Sequence, residues 1–198
     1  MHKSKILSGL LFWILIFGVS WALAQGEVSG MKKVVMIIAQ ENFRDEELFV
    51  PKEILEQHGT EVLIASTSLN PAKGTLGGKA QVDILVRDID MKNFAALIFV
   101  GGSGAAQYWD DPLAHKLIKD ALALEKVVAA ICIAPVTLAK AGILKGRRAT
   151  VFVSEAAQLK ANGANYTGNG VEKDGKIITA SGPAAAKDFG EEILKALK

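Results

Sequence analysis

The chain holds one cysteine, Cys132, and three histidines in 198 residues. A lone cysteine excludes an intramolecular disulfide, so its thiol is buried, reactive or paired with another chain. His58 and His115 have no second His or Cys at ligand spacing, which argues against a metal site. An excess of basic charge is also missing once the first 24 residues are set aside. They carry two of the 23 Lys and Arg and none of the 21 Asp and Glu, so the remainder is formally neutral. That leaves no electrostatic footing for nucleic acid. The run Gly101-Gly102-Ser103-Gly104 lacks the spacing of a dinucleotide fingerprint or a phosphate loop, so nucleotide binding is not expected. No internal repeat, linker or second domain interrupts the chain.

Residues 1–24 read as a targeting segment rather than as part of the fold. His2, Lys3 and Lys5 form a basic start, Ile6 to Val19 an apolar stretch, and Ala22-Leu23-Ala24 a small-residue cleavage site. The alternative is an uncleaved anchor, because Ile6 to Ala24 is almost long enough to span a bilayer. Both readings place the rest of the protein outside the cytoplasm, in a periplasmic or extracellular setting. Membrane contact is expected only if the segment stays attached.

From Lys33 onward, strand and helix signals alternate. Lys33 to Ala39 is an apolar, β-branched run, and Asp45 to His58 has helical spacing closed by Gly59. Glu61 to Ser66 reads as a strand, 67–81 as a loop or hairpin tip, Val82 to Val86 as a short strand and Ala95 to Val100 as a fully apolar one. Asp111 and Pro112 open a helix that runs to about Glu125. Val127 to Ile131 is the next strand, and Pro135 and Gly142 bracket a short helix after it. Ala149 to Val153 is expected as a strand, and Ser154 as the cap of a helix ending near Gly163. Asp174-Gly175 marks a hairpin turn between Val171 and Ile177-Ile178, and a last amphipathic helix spans Pro183 to Leu197. This alternation predicts an α/β fold, a mostly parallel sheet with helices on both faces.

Ligands of such sheets bind beyond the carboxyl ends of the strands. Three segments map there: Gln40 to Glu47, Gly101 to Ala105, and the turn at Cys132. Cys132 sits between an apolar strand and a helix whose first turn contains Pro135, the layout of a nucleophile elbow with Cys in place of Ser. Unpaired N–H groups at that corner are expected to favour a thiolate. The competing reading is a buried structural thiol. The acids at 45–47 suit a helix N-terminus, His58 a helix C-terminus, and His115 an exposed helix face. Asn165-Tyr166-Thr167 matches a glycosylation sequon of a kind frequent by chance.

Four stretches, in order, resemble the PfpI/ThiJ superfamily, which includes the parkinsonism-associated protein deglycase and PfpI-type cysteine peptidases. They are Asn42-Phe43-Arg44-Asp45-Glu46-Glu47-Leu48 with Pro51, Val100-Gly101-Gly102, Ala130-Ile131-Cys132-Ile133-Ala134-Pro135, and Val171 to Gly175 with Ser181-Gly182-Pro183. The resemblance covers residues 32–198. It implies a flavodoxin-like three-layer sandwich of the class I glutamine-amidotransferase type, usually a homodimer, with Cys132 reactive and Glu47 hydrogen-bonded to its sulfur. A protonated Glu47 would serve as acid and base, and the N–H groups of Gly102 and Ile133 as oxyanion donors. No cofactor is implied. The chain departs from the pattern at several positions. Ile133 stands where peptidase-type members place His, and Phe152 where others bring one. Ser181 replaces an Arg. Arg44 replaces a second acid and could bind a carboxylate or α-oxo acid.

The resemblance implies a Cys–Glu enzyme acting on small reactive carbonyls or glycated protein, as in glyoxalase and deglycase chemistry. A redox-sensing or chaperone-like protein, working through oxidation of Cys132, is the alternative. A cysteine peptidase or amidase would need a histidine from a second subunit.

Overall fold

The computed structural model describes residues 31–198. The leader-like segment 1–24 lies outside the described residues. In chain order the elements begin with β1 (Lys33–Ile37), β2 (Glu41–Phe43), α1 (Asp45–Gln57), β3 (Glu61–Ser66), β4 (Ala72–Gly74), β5 (Lys79–Ala80) and β6 (Ile84–Leu85). There follow β7 (Ala96–Phe99), α2 (Pro112–Ala123), β8 (Val127–Ile131), α3 (Pro135–Lys140), β9 (Arg148–Ala149) and α4 (Ala156–Ala161). The chain ends with β10 (Asn165–Tyr166), β11 (Val171–Asp174), β12 (Ile177–Ala180) and α5 (Ala186–Leu197).

The main sheet has seven strands in the order β11-β12-β8-β7-β1-β3-β6. All neighbours are parallel except β11, which returns antiparallel to β12 through the Asp174-Gly175 turn. Side chains alternate across a strand, and here both faces are covered. Val34 and Met36 of β1 pack with Leu48 and Leu55 of α1 and Phe189 and Ile193 of α5. Val35 and Ile37 pack with Leu117 and Ile118 of α2, Leu138 of α3 and Leu159 of α4. That is why the strands are apolar throughout rather than alternating. Each such side chain, fully buried, contributes roughly 1.5–3 kcal/mol. The result is the flavodoxin-like three-layer sandwich.

Register brings three turns together. Ile37 of β1 pairs with Phe99 of β7, and Phe99 with Ala130 of β8. The segments that follow these strands therefore leave the same edge side by side. The helix over 112–123 starts as expected, with the Asp111 carboxylate accepting the Leu113 N–H at 2.8 Å and Pro112 in the first turn.

Elsewhere the structure corrects the sequence reading. The strand expected over Ala149 to Val153 does not form. Only Arg148–Ala149 pairs, with Asn165–Tyr166, in a small separate sheet. Beyond it the backbone donors are taken by other groups. The Thr150 N–H goes to Thr179 Oγ1 at 2.9 Å and the Phe152 N–H to the Cys132 carbonyl at 2.9 Å. Ser154 does not cap α4, because its hydroxyl donates to the Glu155 carboxylate. The glycine-rich stretch after β3 is a hairpin, β4 with β5, as allowed for. It is joined by β2 in a three-stranded side sheet that was not foreseen.

Candidate functional site at the strand-to-helix elbow

Cys132 follows β8 with φ +65°, in the left-handed region that residues with a Cβ seldom occupy. Both of its backbone groups are tied down. Its N–H donates to the Ala180 carbonyl at 2.9 Å, and its carbonyl accepts from Phe152. The strained turn is thus over-determined by the strand beside it and the segment above it. Only 8 % of Cys132 is exposed. The N–H groups of Gly102 and Ile133 face the sulfur, and neither is used by a backbone carbonyl among the described residues.

Glu47, in the first turn of α1, is fully buried. Neither carboxyl oxygen has a well-formed hydrogen bond; the polar groups turned toward it are the Cys132 thiol and the Gly101 N–H. Gly101 makes the meeting possible. A Cβ there would collide with Glu47 Oε2, Cys132 Cβ and the Ile131 carbonyl. Gly102, at φ +92°, lies against the backbone of Asn42 to Arg44, and Asn42 itself is left-handed at φ +60°.

Burial pushes the Glu47 carboxyl up to about 7; the thiol, the Gly101 N–H and Arg44 pull it back, and Glu46 adds to the rise. Burial also pushes the Cys132 thiol up to about 12, with the Glu47 charge reinforcing it and the N–H groups of Gly102 and Ile133 opposing. The expectation of a depressed thiol therefore fails, because two N–H groups do not offset burial plus a neighbouring carboxylate. Instead the pair acts as one unit, holding one proton and one negative charge between about pH 7 and about 12.

Arg44 makes a two-point ion pair with Glu46, Nε to Oε2 at 2.9 Å and Nη2 to Oε1 at 3.1 Å. The carboxylate it holds is thus one of the chain's own. His58 caps α1 and bonds the Ile54 carbonyl through Nδ1 at 2.8 Å. His115 is half-buried rather than exposed, with Nε2 at 2.8 Å from the Trp109 carbonyl. Among the described residues, no three His, Cys, Asp or Glu side chains gather as a metal site.

Residues 32–196 match the DJ-1/PfpI family. The chain belongs to that family. It is 43 % identical over 169 residues to an uncharacterized protein of Methanocaldococcus jannaschii, covering 84 % of this chain and 82 % of that one. It is 30 % identical to a deglycase of Thermococcus kodakarensis, over 83 % of this chain and 99 % of that protein. Against a glutathione-independent glyoxalase of Caenorhabditis elegans it is 26 % identical, with 86 % and 91 % covered. The crystal structure of a ThiJ/PfpI domain protein from Brachyspira murdochii superposes with a TM-score of 0.82 at 34 % identity, over 83 % of this chain and 95 % of that one.

Two residues of the stretch that carries Glu47 have structural roles that their motif does not disclose. Asp45 lies in the first turn of α1, as its sequence context suggests, and is also buried, accepting the N–H groups of Leu76 and Gly78, both at 2.7 Å. The paired glycines at 77 and 78 were the available signal for a backbone approach. Asn42 carries the other clue, since Asn tolerates the left-handed region better than most residues.

Proposed function

We propose that this DJ-1/PfpI protein is a cofactor-independent enzyme that converts α-oxoaldehydes, free or as protein adducts, to 2-hydroxy acids. The observation that carries the reading is the pairing of a buried Glu47 carboxyl with the Cys132 thiol beside two unused N–H groups. Relatives named glyoxalase and deglycase support it.

In the form with the proton on Glu47, the Cys132 thiolate adds to the aldehyde carbon. The carbonyl π pair moves to oxygen, which the N–H groups of Gly102 and Ile133 stabilise and which takes the Glu47 proton. The resulting Glu47 carboxylate removes the hydrogen from that carbon as a proton, giving an enediol, and delivers it to the neighbouring carbon, while the hydroxyl proton on the former aldehyde oxygen passes to the neighbouring oxygen. The hemithioacetal thereby becomes a thioester without outside oxidant or reductant. Water, deprotonated by Glu47, cleaves the thioester to the 2-hydroxy acid and restores the thiol. Glu47 acts as the single acid and base throughout, which fits a chain whose described histidines both engage backbone carbonyls.

The test is methylglyoxal turnover with lactate as the product. Cys132→Ser and Glu47→Gln are each expected to abolish it, and unchanged turnover in either variant refutes the mechanism. A second reading has its own support. The same N–H groups and a protonated Glu47 would hold the oxygens of a Cys132 sulfinate, as a redox sensor requires. A two-oxygen mass gain under mild peroxide, reduced in Glu47→Gln, would favour that role. A homodimer is the assembly proposed, to be checked by sedimentation, and export through residues 1–24, to be checked by cell fractionation.

A further inference from the structure

Large apolar side chains that face water are ordinary when scattered singly. Phe152 and Val153 are not scattered: they are adjacent, 41 % and 73 % exposed, and stand directly beside the elbow. The Phe152 N–H donates to the Cys132 carbonyl at 2.9 Å, so the residue is pinned to the turn that carries the thiol. Its ring lies over Gly182, where an added Cβ would come within 3.1 Å of Phe152 Cδ2. Gly182 in turn lies just beyond Ala180, whose carbonyl accepts the Cys132 N–H at 2.9 Å. The ring thus rests on the turn that follows β12, the strand beside β8, at the sheet edge that carries the Cys132 turn. A larger residue at position 182 would push it off that turn.

We infer that Phe152 and Val153 form an apolar rim to the Cys132 site, and that the oxoaldehyde it takes carries an aromatic substituent on its ketone carbon. This rests on the proposed role of Cys132 as the group that attacks the aldehyde. With the aldehyde carbon at sulfur, a methyl substituent ends close to the reacting atoms, whereas a phenyl group extends outward to the rim. There it covers the exposed Phe152 ring, and aromatic pairs gain from contact beyond the area they bury. An arylglyoxal is therefore the substrate class assigned, in preference to methylglyoxal.

The experiment compares two alkylating agents that differ only in this substituent, phenacyl bromide and bromoacetone. In each, sulfur bonds to the methylene carbon as bromide leaves. Rates at Cys132 are divided by rates with free cysteine, which removes intrinsic reactivity. The normalised phenacyl-to-acetonyl ratio should exceed unity by about tenfold and fall by about that factor in Phe152→Ala, the order of one aromatic contact. Phe152→Leu should lie between. Val153→Thr keeps the shape of an exposed side chain, and should lower the ratio about twofold while leaving the thermal transition in place. A wild-type ratio of one, or a ratio indifferent to both positions, overturns the inference, including the case in which a second copy covers the rim. Failure of both reagents to alkylate Cys132 overturns it as well.

Turnover of phenylglyoxal and methylglyoxal, measured alongside, separates the two ideas. Selective alkylation without turnover of either compound sinks the proposed reaction and keeps the aromatic rim. Turnover of both compounds, with a kcat/KM ratio that Phe152→Ala does not move, does the opposite.

Discussion

Glu47 and Cys132 meet across Gly101, a residue of neither element that carries them, and the absence of a side chain there leaves room for both. One comes from α1, the helix after β2, the other from the turn after β8. Their chemistry is joint, because each is buried and each shifts the titration of the other.

Joint titration predicts an unusual pH profile for Cys132. Alkylation by iodoacetamide should rise through an inflection near pH 7, where the pair loses its first proton, rather than near the ~8.5 of a free thiol. Above it the share of thiolate paired with protonated Glu47 is constant, so the rate should be flat until the thiol's own transition at about 12. In Glu47→Gln the inflection near 7 should disappear, while the thiol, still buried, titrates above the free value. A single wild-type inflection at or above 8.5 would dismantle the shared-proton picture.

The same carboxyl should govern part of the stability. Its folded pKa, about 7, lies above the model-compound 4.5, so the folded state holds the proton more tightly than the unfolded one. The stabilisation is complete below about pH 4.5 and is lost as pH rises through about 7. At about 1.4 kcal/mol per unit, that separation amounts to roughly 3 kcal/mol. Glu47→Gln is neutral at every pH. It should be about as stable as wild type at pH 4.5 and roughly 3 kcal/mol more stable at pH 8, by urea titration at both. Equal stability at pH 8 would mean that burial of the carboxylate costs little.

Much of this arrangement is legible in the sequence. The apolar run at 127–131, Pro135 and Gly142 marked the elbow, because a buried parallel strand and a short capped helix each leave a one-dimensional signature. Glu47 is marked by the stretch Asn42 to Leu48 with Pro51, through the family resemblance. What stayed hidden depends on contacts between remote segments. Residues 149–153 have strand-like composition, yet Thr150 and Phe152 give their N–H groups to Thr179 and to Cys132, which no local pattern records. The titration was misjudged for a similar reason: the turn predicts N–H groups near the sulfur, but not how thoroughly the corner is buried.

Gly101 offers a direct test of the meeting point. Gly101→Ala would put a methyl group against Glu47, Cys132 and the Ile131 carbonyl, all held by sheet or helix backbone. Overpacking of this kind costs about 1–3 kcal/mol. The separation of the pair should also move the alkylation inflection away from pH 7 toward the range of an isolated thiol. A variant with wild-type stability and an unmoved inflection would show that the two side chains do not converge over this glycine.

Asp45 ought to act on the site without touching it. Its carboxylate accepts two N–H groups in the turn between β4 and β5, and Gly74 and Gly78 press their backbones against it. Asp45→Asn replaces one acceptor by a donor that would face an N–H, and Asp45→Ala leaves both donors unmatched, at about 1–3 kcal/mol for each buried group. The hairpin is joined through β4 to β2, and β2 runs directly into Arg44 and the first turn of α1. Loosening it should displace Glu47, so the amides of Leu76 and Gly78 should exchange faster and the alkylation inflection near pH 7 should broaden or shift. Unaltered exchange at those amides in Asp45→Ala would reduce Asp45 to the helix-terminus charge that its sequence context first suggested.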